Sequence, residues 1–217
     1  MQIDRHLLYI ASRAIEARLK LQKLRVPSWD ECRAADNVGW KEPSQVGCYY
    51  DICFRTRDTP TQEEFVAFYL RCHENKAPAS WLLDAMSARV ARSYNSLVAE
   101  HHLLALCIES GRFDACYKAE SLDLAGMVDL VVRIGANQAG FAIQVPTRGG
   151  SKWLQVKRKR QEKRGHPWEW PLLNIMMDFN RMQEVAGIHL FTPRWVPTLW
   201  ERATQTYMPV FQGEKAL

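Results

Sequence analysis

The sequence predicts a mixed α/β (α+β) protein, in which a helical N-terminal region precedes a domain built on a mixed sheet. Two observations predict this class. Apolar residues recur at helical spacing as far as Ser110, whereas short apolar runs separated by glycine-containing turns follow from Cys116 onward. We therefore expect a helical region over residues 1–79 and a sheet-containing domain over residues 80–217.

Two helices are expected within the N-terminal region. The apolar spacing near the N-terminus predicts an amphipathic helix that is ended by Pro27. Thr61 and Glu64 have the spacing of a capping box, so a second helix is expected to begin at Thr61 and to close at Pro78. Between them, the segment YYDICFRT is compatible with a short strand.

A third helix is expected from Ser80 to Gly111, a typical stop signal, with a break near Tyr94 left open. After Gly111, the spacing of the apolar residues changes from that of helices to that of strands. The predicted strands are Cys116–Leu122, Met127–Ile134, Gly140–Val145 and, after an intervening basic helix, Gly187–Pro193. The segment WPLLNIMMDF fits a buried strand and a helix equally well.

The charge is mildly basic, with a formal net charge of +5 and a pI of about 8.9. The run Lys152–Arg164 contains one acid, Glu162, and favours an anionic partner, although a solvated helix face explains it equally well. The cysteines lack zinc-site spacing, and no signal peptide or apolar stretch long enough to span a bilayer is apparent. We expect a cytoplasmic protein with no membrane partner.

Three polar residues occur in an order that indicates a metal site. Glu100 lies on the third predicted helix, Asp129 inside the second strand and Gln144 at the end of the third strand. A carboxylate among apolar strand residues needs a compensating partner, and oxygen ligands suit Mg²⁺. Taken singly, each residue has an ordinary alternative role. Asp129 would be a strand-end acid bonded to backbone donors, Glu100 an exposed helix acid and Gln144 an edge amide.

This order resembles that of the PD-(D/E)xK, restriction-endonuclease-like, nuclease superfamily over about residues 80–193. The resemblance implies an αβββαβ core with a mixed sheet. Glu100 matches the helix acid of that family, Asp129 the strand aspartate and Gln144 the acid-or-glutamine position. It further implies that Glu100, Asp129 and the Val145 carbonyl hold Mg²⁺ or Mn²⁺ for phosphodiester hydrolysis, with Gln144 as a catalytic residue. Asp123 and Asp178 are reserve acids should Asp129 be structural.

The chain departs from the family where a lysine is expected, because Gln144-Val145 is followed by Pro146. Some members of the superfamily place the lysine on the following helix instead. Lys157 and Lys152 are the candidates, with a slight preference for Lys157. On a helix these two residues lie about 140° apart, so both cannot face the site.

The expected partner is DNA, with RNA as the alternative, and a protein partner or a homodimer stays open. Phosphate contacts are expected from cationic residues of the loop and the basic helix, namely Arg148, Lys152, Arg158, Lys159, Arg160, Lys163 and Arg164. Several tryptophans have the chemistry to stack on bases, but core packing explains most of them better: Trp153, Trp168, Trp170, Trp195 and Trp200.

The function predicted from these features is a metal-dependent endonuclease, acting within a mobile-element, defence or repair complex, whose N-terminal helices recognise the target or a partner. The alternative is a catalytically degenerate nuclease-fold module that binds nucleic acid or a partner protein without cleaving. A third interpretation is a helical adaptor with a small sheet, which would be insensitive to salt and metal.

Overall fold

A computed structural model describes residues 9–36, 44–72, 80–118, 128–144 and 170–211 of the 217-residue chain. These residues form helices, a four-stranded mixed sheet and a separate two-stranded sheet, which confirms the mixed α/β class. They fall into two compact units. The helical unit holds the described residues up to His102 together with Glu184–Leu190, and the sheet unit holds those between Leu103 and Gln183 and from Phe191 onward.

The helices within the described residues are α1 (Ser12–Lys20), α2 (Trp29–Asp36), α3 (Gln45–Thr56), α4 (Gln62–Cys72), α5 (Ser80–Glu109) and α6 (Trp195–Phe211). The strands are β1 (Ala115–Tyr117), β2 (Leu130–Ile134), β3 (Asn137–Gln144), β4 (Leu172–Met176), β5 (Met182–Val185) and β6 (Ile188–Phe191). A short 3-10 helix, Phe179–Arg181, connects β4 to β5. The predicted boundary at residues 79 and 80 borders a range outside the described residues and stays a prediction.

The start of α4 is the predicted capping box. The Thr61 hydroxyl accepts a hydrogen bond from the backbone N–H of Glu64 at 3.2 Å, and the Glu64 carboxylate accepts one from the N–H of Thr61 at 2.7 Å. Arg18 of α1 donates to both carboxylate oxygens of Glu64, at 3.0 and 2.9 Å. The same glutamate therefore caps α4 and joins it to α1.

Two predictions about the helical region are wrong. The segment YYDICFRT lies in α3, not in a strand, because Tyr49, Ile52 and Cys53 recur at helical spacing and are all buried. Its aromatic and β-branched residues have high strand propensity, which burial of one helix face overrides. The first helix ends at Lys20, well before Pro27, while residues 1–8 lie outside the described part of the chain. The open question near Tyr94 is resolved, since α5 continues through it.

Aromatic rings fill the interior of the helical unit. Tyr49, Phe65 and Tyr94 are fully buried. The Tyr49 ring packs edge-to-face against the rings of Phe65 and Tyr94, at centroid distances of 5.6 and 6.3 Å. The Tyr94 hydroxyl donates to the carbonyl of Pro60 at 2.6 Å and accepts from the Gln22 side chain at 3.0 Å. This buried phenol is therefore satisfied and links α5 to the loops that flank α1 and α4.

Gln62, buried at the start of α4, joins three segments of the helical unit. Its carbonyl oxygen accepts from the Arg25 N–H, and its amide nitrogen donates to the carbonyls of Arg25 and Ala91, each at 2.8 Å. Its own N–H donates to the Gln22 side chain at 2.8 Å. One side chain thus satisfies both backbone groups of Arg25 in the stretch between α1 and α2.

The sheet unit has the strand order β1-β2-β3-β4. β1 pairs antiparallel with β2, β2 antiparallel with β3, and β3 parallel with β4. The first three strands match the predicted meander, although β2 starts later and β3 earlier than expected. The ambiguous segment WPLLNIMMDF contains β4, so it forms a strand.

Gly140 provides space for an aromatic ring against β3. A Cβ at this position would lie 2.4 Å from Cζ3 of Trp170, and the Gly140 N–H donates to the carbonyl of Pro171 at 2.9 Å. Trp170 therefore packs on the sheet. Trp195 is buried, and its indole N–H donates to the Arg181 carbonyl at 3.1 Å, so packing explains both tryptophans.

β5 and β6 form a hairpin that the sequence predicted only in its second half. Ala186 and Gly187 both have positive φ, 52° and 83°, as two-residue hairpin turns require. Arg181, just before β5, donates to the carbonyl of Arg194 and the hydroxyl of Thr198, and stacks on Trp195. These contacts hold the start of α6 against the end of the 3-10 helix.

The Gln62 network predicts a measurable loss of stability. Gln62→Ala leaves the Arg25 and Ala91 backbone groups without their partner, which we expect to cost about 1–3 kcal/mol in the free energy of unfolding. Urea denaturation measures this loss. Glu63→Ala, an exposed neighbour on the same helix, is the control. Equal denaturation midpoints for the two variants would contradict the assigned role of Gln62.

The capping box predicts an acid-dependent contribution to stability. The hydrogen bond from the Thr61 N–H is the largest effect on the Glu64 carboxyl; burial opposes it, and together with the hydrogen bond and charge of Arg18 it holds the pKa below the ordinary value of 4.5. Glu64 therefore stabilises the fold above pH 4.5, and this contribution is lost as the pH falls through the lower folded-state pKa. We expect Glu64→Gln to unfold more easily at pH 7 and to show a weaker loss of stability on acidification. Thermal unfolding measured from pH 7 to pH 3, against Glu63→Gln, tests this; parallel pH profiles for wild type and Glu64→Gln would refute it.

Candidate functional site

Three strands of the sheet unit run in the same direction, because β1 and β3 are both antiparallel to β2 and β4 is parallel to β3. Their carboxyl ends therefore meet at one edge of the sheet, together with the amino end of β2. We name this the carboxyl edge. The polar residues at or just beyond it are Lys118 after β1, Asp129 before β2, Gln144 at the end of β3 and Asp178 after β4.

Asp129 is the best-defined polar residue of the carboxyl edge. It precedes β2 by one residue, so its predicted position inside that strand is corrected to the strand's entrance. Its N–H donates to the Phe141 carbonyl at 2.8 Å, and its Oδ2 accepts from the N–H of Ile143 at 2.5 Å. The residue is 8% exposed. The carboxylate thus takes the place that a backbone carbonyl would occupy in the ladder.

The hydrogen bond to Ile143 explains how a carboxylate is tolerated here. Burying an ionised group without partners is costly, and a backbone donor offsets part of that cost. The bond also ties the entrance of β2 to the end of β3, which is the structural role foreseen as an alternative for Asp129. An ionised carboxylate has about four acceptor positions, and the Ile143 N–H occupies one of those on Asp129.

The backbone of Gln144 lies close in space to the Asp129 carboxylate. Gln144 ends β3 and pairs with Met176 of β4, and the N–H of its neighbour Ile143 donates to the Asp129 carboxylate. The structure therefore brings together the backbone of Gln144 and the carboxylate of Asp129, two of the predicted site residues, at a single edge of the sheet.

Glu100 is half-buried on α5 and belongs to the helical unit, whereas Asp129 belongs to the sheet unit. Their joint role stays a prediction. The neighbouring histidines are packed inside the helical unit, as expected for helix residues. His101 Nδ1 lies 3.2 Å from the Tyr49 hydroxyl, and His102 Nε2 lies 3.1 Å from the Glu16 carboxylate.

The remaining predicted site residues lie outside the described residues. They are Val145, Pro146, Arg148, Lys152, Lys157, Arg158, Lys159, Arg160, Lys163 and Arg164, with the reserve acid Asp123 and the tryptophans Trp153 and Trp168. The other reserve acid, Asp178, is described. Its carboxylate is exposed and caps the 3-10 helix by accepting from the Asn180 N–H at 3.0 Å.

The structure adds a residue that the sequence reasoning passed over. Lys118 follows β1 directly and is only 7% exposed, although lysine is rarely buried unless it is paired. A signal was present in the sequence, since Lys118 is two residues beyond Cys116 within a predicted strand. That spacing assigns both residues to the same face of the strand.

Within the described ranges, no group of three or more histidine, cysteine, aspartate or glutamate residues is arranged to hold a metal ion. None of the helices in this part of the chain is both long and apolar enough to cross a membrane. No family model matches the chain, and no curated protein and no solved structure matches it either.

The two roles of Asp129 are separable by substitution. Asp129→Asn keeps an oxygen that accepts from the Ile143 N–H, whereas Asp129→Ala removes it. We expect Asp129→Ala to lose about 1–3 kcal/mol of unfolding free energy and Asp129→Asn clearly less. Chemical denaturation of the two variants measures the difference. If both variants unfold at the same denaturant concentration, the hydrogen bond does not stabilise the sheet.

Proposed function

We propose that the protein is a metal-dependent endonuclease that hydrolyses phosphodiester bonds, with DNA as the substrate. The observation that carries this proposal is the buried Asp129 carboxylate at the carboxyl edge, bonded to the strand that ends in Gln144. In open α/β sheets, ligands bind outside the carboxyl ends of the strands, and ionisable groups in unusual environments are concentrated at functional sites.

The order of elements supports the proposal. A long helix precedes an antiparallel three-stranded meander, and a fourth strand then pairs parallel with the third. A parallel pair requires a crossover connection of a dozen or more residues. Residues 145–171 make this connection between β3 and β4, and they contain the run in which a basic helix is predicted.

The chemistry of the donors suits Mg²⁺ or Mn²⁺. Mg²⁺ binds through one or two carboxylates, retains several waters and takes further oxygen ligands from substrate phosphates. Asp129 would supply one carboxylate, while the further oxygen ligands expected from Glu100 and the Val145 carbonyl stay predictions from the sequence. The bound cation would polarise the phosphoryl group and promote ionisation of a water.

The protein's own residues would orient the reactants around that ion. Asp129 is held in one position by the Ile143 N–H, so its charge is preorganised. Gln144, at the end of the neighbouring strand, would position the attacking water by hydrogen bonding. Phosphates on either side of the scissile bond would be neutralised by the cationic run that contains Lys152 and Lys157.

Cleavage assays test the proposal. Supercoiled plasmid and single-stranded DNA are incubated with Mg²⁺ or Mn²⁺ and the wild-type protein, Asp129→Asn, Glu100→Gln, Lys152→Ala or Lys157→Ala. We expect wild type to nick the plasmid and Asp129→Asn to be slower by about 100-fold or more, since it loses charge but keeps its hydrogen bond. Asp178→Asn, at the same edge of the sheet, is the matched control and should retain activity.

Three other outcomes have definite meanings. If Asp178→Asn loses activity and Asp129→Asn does not, the metal ligand is Asp178 and the assignment to Asp129 is wrong. Cleavage that does not require added metal and resists chelation would refute the metal site. The protein could instead bind DNA in a salt-sensitive way, unchanged by Asp129→Asn, and cleave none with any metal. That result would refute the endonuclease proposal and support a module that binds nucleic acid without cleaving it.

A further inference from the structure

Two free thiols of the sheet unit are in contact with each other. Cys107, in the last turns of α5, shares a hydrogen bond with Cys116, in the middle of β1. Cys107 is fully buried, whereas Cys116 is half-buried. A small reagent from solvent therefore reaches Cys116 before it reaches Cys107.

The strand register explains why Cys116 faces a helix. Cys116 lies opposite Val132, Val132 lies opposite Ala139, and both of these partners are almost fully buried. Directly opposed residues of an antiparallel pair point to the same face of a sheet, so Cys116 belongs to a covered face. Its contact with Cys107 identifies α5 as an element that covers this face.

The connection between α5 and β1 is short and is held at both ends. The Ser110 hydroxyl donates to the carbonyl of Cys107 at 2.7 Å, and the N–H of Asp114 donates to the carbonyl of Arg133 in β2 at 2.9 Å. The first bond fixes the end of the helix, and the second fixes the entrance of the strand. The contact between Cys107 and Cys116 is therefore built into the fold, and the two sulfurs meet without the closure of a long loop.

The hydrogen bond gives the two thiols different roles. It is the largest of the effects that raise the pKa of the Cys107 thiol, and burial and the charge of ionised Cys116 raise that pKa further. A hydrogen bond that raises the pKa of a thiol is one that this thiol donates, because the bond favours the protonated form. Cys107 therefore keeps its proton and Cys116 accepts the hydrogen bond, which leaves Cys116 as the sulfur that reacts as a thiolate.

We propose that Cys116 and Cys107 form an oxidation site, at which a hydroperoxide converts the two thiols into a disulfide. This site is separate from the Asp129 carboxylate, and the inference does not depend on the endonuclease function. β1 is an edge strand of the four-stranded sheet. The disulfide would tie this edge strand to the end of α5.

The oxidation takes place in two steps. The Cys116 thiolate attacks one oxygen of the hydroperoxide, the bond between the two oxygens breaks, and a sulfenic acid forms while the departing oxygen is protonated. Cys107 then attacks the Cys116 sulfur, so that the disulfide bond forms and the bond from sulfur to oxygen breaks. The departing hydroxide takes up the Cys107 proton and leaves as water. Two electrons have then passed from the thiols to the hydroperoxide.

The first step favours the second. Once Cys116 is a sulfenic acid it no longer carries the thiolate charge that raised the pKa of Cys107. Cys107 then ionises more easily, at the moment when its thiolate is needed as the attacking group.

Oxidation of the purified protein with a small excess of hydrogen peroxide tests the proposal. We expect peptide mass spectrometry to find Cys107 and Cys116 of one chain joined by a disulfide, which a dithiol reduces again. In Cys107→Ala the second thiol is missing, so labelling of Cys116 by dimedone, which traps sulfenic acids, should rise by about 10-fold over wild type. Cys116→Ser should leave Cys107 reduced. Because Cys107 is buried, Cys107→Val is made as a second variant, and the variants are assayed well below their unfolding temperatures.

Two other cysteines serve as controls. Cys72→Ser removes the exposed thiol at the end of α4 and should leave formation of the disulfide unchanged. Burial raises the pKa of the Cys53 thiol to about 12, so this cysteine should stay reduced in every sample.

Three results would overturn the inference. Cys107 and Cys116 could both stay reduced in wild type while Cys72 is oxidised, which would make the contact between the two thiols one of packing alone. Cys116 could be labelled by dimedone equally in wild type and in both folded Cys107 variants, which would show that Cys107 does not attack the sulfenic acid. Cys116 could also form its disulfide with a cysteine other than Cys107, which would show that the observed contact does not select the partner.

Discussion

The hydrogen bond between the Asp129 carboxylate and the Ile143 amide is the constraint on which the sheet unit depends. It couples an electrostatic requirement to strand register. A slip of β3 by one residue would withdraw the amide from the buried charge and would also turn Phe141 from the covered face to the opposite one. Apolar packing and charge compensation therefore specify the same pairing of β2 with β3, and neither is satisfied in a shifted one.

Local signals predicted those elements whose determinants lie within a few residues. The Thr61–Glu64 spacing located the start of α4, and the apolar run around Val131 and Val132 identified a central strand. The segment that became α3 misled because Tyr49 and Ile52 favour strands by propensity, while only the assembled core shows that they line one helix face. β4 was ambiguous for a related reason, since its state is decided by parallel pairing with β3.

The residues of the candidate site likewise differ in whether nearby sequence or strand pairing reveals them. Asp129 was predictable because a carboxylate among valines is anomalous within its own segment. Its hydrogen-bond partner at Ile143 was not predictable, because that contact follows from the register of β3 against β2. A sequence motif lists residues by their order on one chain, whereas a carboxyl edge collects them from strands that are distant in that order.

The Gln62 side chain affects how readily a protease can cleave the stretch between α1 and α2. Arg25 has an exposed side chain of the kind that trypsin-like proteases recognise, yet both of its backbone polar groups are held by Gln62. A protease must draw several residues into an extended strand before it can cut. Cleavage after Arg25 therefore requires this segment to open first, and its rate would report the free energy of that local opening and not the exposure of the arginine.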